Sequence, residues 1–160
     1  MSQFVVTSGG TMTNLNERRS ASLSAALTGN THRVGTILTS DRGETVFERG
    51  ATFPDRWRRL GANRWVNQQL AGGGDGERPN MVPIVEVTQR ILTVDTGSSL
   101  QLNVRQGPGT VFNVVRTLRN GTTVVPTHSA PTIPRFAPGV TGEWFRIGTR
   151  EWVARRNLRV

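Results

Sequence analysis

The string Asp95-Thr96-Gly97-Ser98-Ser99 follows the apolar run Ile91–Val94, which sets a carboxylate in a glycine turn at the end of a strand-like stretch. A carboxylate so placed can hydrolyse peptide bonds when a second, like-charged Asp shares its proton. The chain holds no second Asp-Thr-Gly, so a homodimer mate is the remaining source of a partner acid. On the other reading the string is a turn that leads into the next strand, and four-residue motifs recur by chance. His32 and His128 are the only histidines, each in loop-like sequence without a second ligand at close spacing. They read as surface histidines, because a zinc site needs three or four clustered ligands. No Gly-x-Ser-x-Gly is present, and Gly72-Gly73-Gly74-Asp75-Gly76 lacks the Lys-Ser/Thr of a phosphate loop. No catalytic residue, metal site or cofactor is expected.

Aromatic and basic residues carry the stronger signal. All 20 basic residues are arginine, against 11 carboxylates, for a formal charge of +9. Arginine forks pair with carboxylates, phosphates and aromatic faces, so the surplus favours anionic partners. Trp57 and Trp144 follow polar or Gly-rich sequence and are expected to be half-exposed. They would line a groove with Phe112, Phe136, Phe145 and Arg146, since Trp and Arg are enriched at binding hot spots. Trp65 and Trp152 precede valine and are expected in the core; equally, all four tryptophans could simply fill a small barrel. Interleaved Trp and Arg at 56–65 and 144–156 would suit stacking of single-stranded nucleic acid. Asp55, Glu143 and Glu151 interrupt that pattern and no nucleic-acid motif occurs, so nucleic acid is an outside reading.

An internal repeat must position these residues. A shift of 87 aligns Leu15-Asn16-Glu17-Arg18 with Leu102-Asn103-Val104-Arg105. The same shift sets Trp57, Arg59, Gly61, Trp65 and Val66 on Trp144, Arg146, Gly148, Trp152 and Val153. Between these anchors Arg42-Gly43 aligns with Asn120-Gly121 at a shift of 78. That shift makes copy one long between Arg18 and Val34, and copy two long between Val124 and Trp144. In copy two, β runs read at Ile91–Val94, Leu102–Arg105, Val114–Leu118, Thr122–Pro126, Trp144–Ile147 and Glu151–Val153, with Asn120-Gly121 as a tight hairpin. The expected fold is all-β: two tandem small barrels, residues 1–71 and 91–160. Residues 72–90 form a Gly-rich linker, with Ile84–Val87 as a strand able to dock on a barrel edge.

Copy two resembles the bacterial SH3 family. Leu102-Asn103-Val104-Arg105, the Gly107-Pro108 turn, Leu118, Gly121, Val124, Trp144, Ile147, Trp152 and Val153 fill that family's pattern. Copy one is degenerate and replaces the Gly-Pro turn with SASLSAALTGNTHR. The resemblance implies SH3-like barrels and a non-catalytic binding role, commonly toward cell-wall peptides or proteins. It also implies that Asn16, Arg18, Asn103 and Arg105 act structurally, pinning a strand to its neighbouring loop.

Two functions follow as expectations. One is a structural subunit of a filament, particle or surface assembly, contacting copies of itself or a scaffold protein. The other is a module gripping peptidoglycan or another anionic envelope polymer. The absence of cysteine removes disulfides and thiolate metal sites. No apolar run approaches a membrane span, and the opening MSQFVVTSGG lacks the pattern of a secretory signal. An extracellular assembly or a virion is the favoured setting.

Overall fold

The computed structural model describes residues 1–7, 14–41, 45–47, 56–69, 80–131 and 142–160. Ser8–Thr11, Gly43, the Gly72–Pro79 linker and Phe136 lie outside them. The protein is all-β and its sheets are antiparallel. The chain divides into two units, Met1–Pro83 and Ile84–Val160.

In the first unit the strands are β1 (Ser2–Val6), β2 (Asn14–Arg18), β3 (Leu27–Arg33), β4 (Ile37–Ser40), β5 (Thr45–Phe47), β6 (Arg56–Gly61) and β7 (Arg64–Gln69). β8 (Met81–Glu86) crosses the division. The second unit continues with β9 (Leu92–Val94), β10 (Gln101–Arg105), β11 (Val114–Arg119), β12 (Thr123–Val124), β13 (His128–Pro131), β14 (Glu143–Gly148), β15 (Glu151–Ala154) and β16 (Leu158–Arg159).

Both units use one plan. A five-strand run β3-β2-β7-β6-β5 in the first answers β11-β10-β15-β14-β13 in the second. A three-strand run β4-β1-β8 likewise answers β12-β9-β16. Among the described residues these sheets are open, with no pairing that closes one on itself. In the second unit β13 has one further neighbour, the latter half of β8, with Ser129 opposite Val85 and His128 opposite Glu86. The strand expected at Ile84–Val87 is therefore present, but it begins at Met81, whose side chain is buried in the first unit's core.

The local chemistry of the repeat is equally close, and it corrects the shift of 78. The turn after β3 is made by Gly35 (φ 84°), matching Gly121 (φ 83°) after β11. Gly35 N–H donates to Val6 O at 2.8 Å, and Gly121 N–H to Val94 O at 2.9 Å. The pairs Val6 N–H to Thr36 O and Val94 N–H to Thr122 O repeat the pattern, at 2.9 and 2.8 Å. Glycine reaches positive φ at little cost, and that is what this turn requires. The shift is therefore 86 here, and the loop after Arg18 is as long as the loop after Arg105. The sequence match misled because both Gly35 and Gly43 precede Thr-containing β runs.

Alternation places each core between the five-strand and three-strand runs of its unit. The second core joins Leu92, Val94, Leu102, Val104, Leu118, Val124, Phe145, Val153 and Leu158. The first joins Phe4, Val6, Leu15, Leu38, Val66 and Met81.

Candidate functional site

The two Leu-Asn-x-Arg strands place an arginine beside a tryptophan in each unit: Arg18 is in register with Trp65, and Arg105 with Trp152. Arg105 Nη1 donates to Thr110 O at 3.0 Å and to Phe112 O at 2.8 Å, holding the loop that carries Gly107-Pro108. Gln106 N–H closes the loop's base on Asn113 O at 3.0 Å. Gly107 is needed there because a Cβ would sit 2.9 Å from Cγ of the Phe112 ring. In the first unit Arg18 Nη1 donates to Ala25 O at 2.7 Å, and Arg19 N–H to Ala26 O at 2.9 Å. Two unrelated loop sequences are thus gripped by one device, because a guanidinium recognises carbonyl oxygens whatever side chains surround them. Asn16 and Asn103 point outward and are exposed.

Trp57, Trp144, Phe112 and Phe145 do not line an open groove, and Phe136 lies outside the described residues. Trp57 and Trp152 are fully buried, Trp144 is 5% exposed and Phe112 6%. Trp65 is the half-buried one of the four tryptophans. Phe145 projects from β14 on the opposite side to Trp144 and Arg146, into the second unit's core. Small units with thin cores gain most by burying their largest side chains, and this outweighs the polar flanks of Trp57 and Trp144. Among the described residues the buried Nε1 of Trp57 and of Trp152 have no hydrogen-bond partner. Arg59 and Arg146 brace their hairpins in the same way, Nε donating to Gly61 O and to Gly148 O at 3.2 Å.

The first unit also holds a site that sequence reasoning missed. Glu17 is fully buried on the core side of β2. Its Oε1 accepts from Thr28 Oγ1 at 2.9 Å, from Asn30 Nδ2 at 3.1 Å and from Arg64 Nε at 3.1 Å. Its Oε2 accepts from Arg64 Nη2 at 3.0 Å and lies 3.2 Å from His32 Nε2. Burial alone would raise its pKa; the bonds from Arg64, Asn30, Thr28 and His32 outweigh burial and hold it from the ordinary 4.5 down to about 2. His32 is therefore no surface histidine: it lies in β3 and its side chain is 14% exposed. The available signal was the repeat itself, which sets Glu17 against Val104.

The second unit has an apolar interior at these places, and its ion pairs among the described residues lie nearer solvent. Arg116 Nε and Nη2 donate to the two Glu151 oxygens at 2.8 Å each. This pair holds the Glu151 carboxyl below its ordinary range. Asp95 accepts from Gly97 N–H at 3.2 Å and pairs with Arg159 at 2.9 Å, while Thr96 Oγ1 donates to Ser99 O. The string thus forms a hydrogen-bonded turn. His128 lies in β13 between Arg146 and Glu86. Burial first, then Arg146, push its pKa below the ordinary value, with Glu86 opposing. Among the described residues no group of three or more His, Cys, Asp or Glu is placed to hold a metal ion, and no helix is long and apolar enough to cross a membrane.

No protein-family model matches the chain, and no curated protein matches it.

Proposed function

We propose that the chain is a non-catalytic subunit of two SH3-like modules that works through protein–protein contacts in an assembly. The observation that carries this reading is apolar surface left exposed on two edge strands. Leu27 opens β3 at 51% exposure, and Val114 and Val115 open β11 at 45% and 44%. β3 and β11 stand at the ends of their five-strand runs, with edges able to pair with another chain. Of the aromatic residues that would grip a small ligand, Trp57, Trp144, Phe112 and Phe145 are meanwhile buried. Two arginine-pinned loops and one repeated strand plan support the SH3-like assignment, as does the Leu-Asn-x-Arg resemblance.

Light scattering across a salt series, with imaging of any large species, tests the proposal. A particle, filament or defined oligomer that persists at moderate salt is the expected result. A monomer near 17.6 kDa at every salt concentration overturns it.

One observation favours a second reading, the binding of an anionic envelope polymer. Residues 84–160 contain ten arginines against four carboxylates, whereas residues 1–83 contain ten against seven. Such a surplus draws polyanions, with a strong salt dependence. Sedimentation with purified peptidoglycan at low and moderate salt separates this reading from assembly.

A further inference from the structure

We propose that β3 is a charge-latched edge strand: the first unit keeps it on the sheet while Glu17 is ionised and releases it when Glu17 takes a proton. The argument is a comparison of equivalent positions. Leu15 faces His32 across β2 and β3, as Leu102 faces Leu118 across β10 and β11. Glu17 lies one alternation further along β2, as Val104 does along β10. The second unit therefore holds its edge strand by apolar packing of Val104 and Leu118, both in its core. The first holds β3 through three side chains on that strand, Thr28, Asn30 and His32, all bonded to one buried carboxylate.

The groups facing Glu17 among the described residues are those three from β3 and Arg64 from β7. A protonated Glu17 can no longer accept from all of them, and it leaves Arg64 without its counter-charge. Among the described residues β3 has a neighbour on one side only, β2, so besides these side chains it is held by that one backbone ladder and by the Arg18 and Arg19 bonds to Ala25 and Ala26 at its start. Its departure uncovers the edge of β2, a template for pairing with another strand. β11 carries an ion pair too, Arg116 with Glu151, but that carboxylate is 25% exposed where Glu17 is fully buried, and pairs nearer solvent contribute little.

The test is hydrogen exchange by mass spectrometry on the full chain at pH 6 and pH 2.5, corrected for intrinsic rates. Expected is a loss of protection of more than tenfold over Leu27–Arg33, with less than twofold over Val114–Arg119. E17Q should show the β3 loss already at pH 6. The double variant E17V/H32L, which installs the second unit's residues, should abolish the difference between the two pH values. Equal loss in both strands, or β3 protection unchanged at pH 2.5, overturns the proposal. If E17Q does not fold, the acid titration of the unaltered chain decides alone.

Discussion

Glu17 and Val104 occupy the same place in two copies of one fold, and each is fully buried. The substitution is not isolated. His32 stands where Leu118 stands, and Arg58 where Phe145 does, opposite Val66 and Val153 respectively. Arg58 lies 4.6 Å from the Phe4 ring and donates through Nε to Gln68 Oε1 at 2.7 Å. The first unit has thus exchanged three apolar positions for ionisable ones, and each carries specific partners. Buried polar networks are costly when half satisfied and rigid when complete.

The acid dependence of stability follows from Glu17. Its folded pKa of about 2 lies below the ordinary 4.5, so ionised Glu17 stabilises the fold at pH above 4.5. That contribution is lost as pH falls from 4.5 through 2, and amounts to about 3 kcal/mol in all. Urea unfolding of the full chain between pH 6 and pH 2 should show this loss. In E17Q the slope over the same window should flatten, because the group that takes up the proton is gone.

Removal of the two loop-gripping arginines should cost unequal amounts. Arg105 makes two carbonyl bonds and Arg18 one to Ala25. Charge-assisted bonds contribute about 1.5–3 kcal/mol each at most, so R105A should destabilise by about 3 kcal/mol and R18A by about half that. Thermal unfolding of both variants checks the order. R18A matching R105A would show that the first loop has further support.

Two glycines should fail for different reasons. In G107A the new methyl meets the Phe112 ring at 2.9–3.0 Å, so ring or loop must move, at about 1–3 kcal/mol. Gly97 has open space but a φ of 63°, so G97A should cost about 1 kcal/mol through backbone strain alone. G107A should also alter the near-ultraviolet aromatic signal, and G97A should leave it unchanged.

Trp152 fills space without using its indole N–H. W152F keeps most of the apolar volume and removes a buried donor that lacks a partner among the described residues, so it should cost about 1 kcal/mol or less. W152A should cost about 3–5 kcal/mol through the cavity it leaves. Chemical denaturation of the two variants separates volume from hydrogen bonding.

Much of the fold was legible because strand alternation and turn residues are local properties. Leu102–Arg105, Val114–Leu118, Trp144–Ile147 and Glu151–Val153 read as strands and form strands, with ends differing by one residue. β13 was not legible: His128-Ser129-Ala130-Pro131 has weak strand character and is held by β14 on one side and β8 on the other. β16 is two residues long and exists through its pairing with β9. The sequence match set Gly43 against Gly121 where the structure sets Gly35, because a turn's register is fixed by the strands it joins.

Sequence by itself determined the repeat, the all-β class and the arginine charge, since these reside in residue order and type. It also carried, in the mismatch of Glu17 with Val104, the one sign of a polar interior. Tertiary structure alone decided which residues are inside. Trp57 and Trp144 are buried despite polar neighbours, and His32 gains a partner fifteen residues away in sequence. Burial and the pairing of charges depend on which strands are brought side by side, and chain order does not state that.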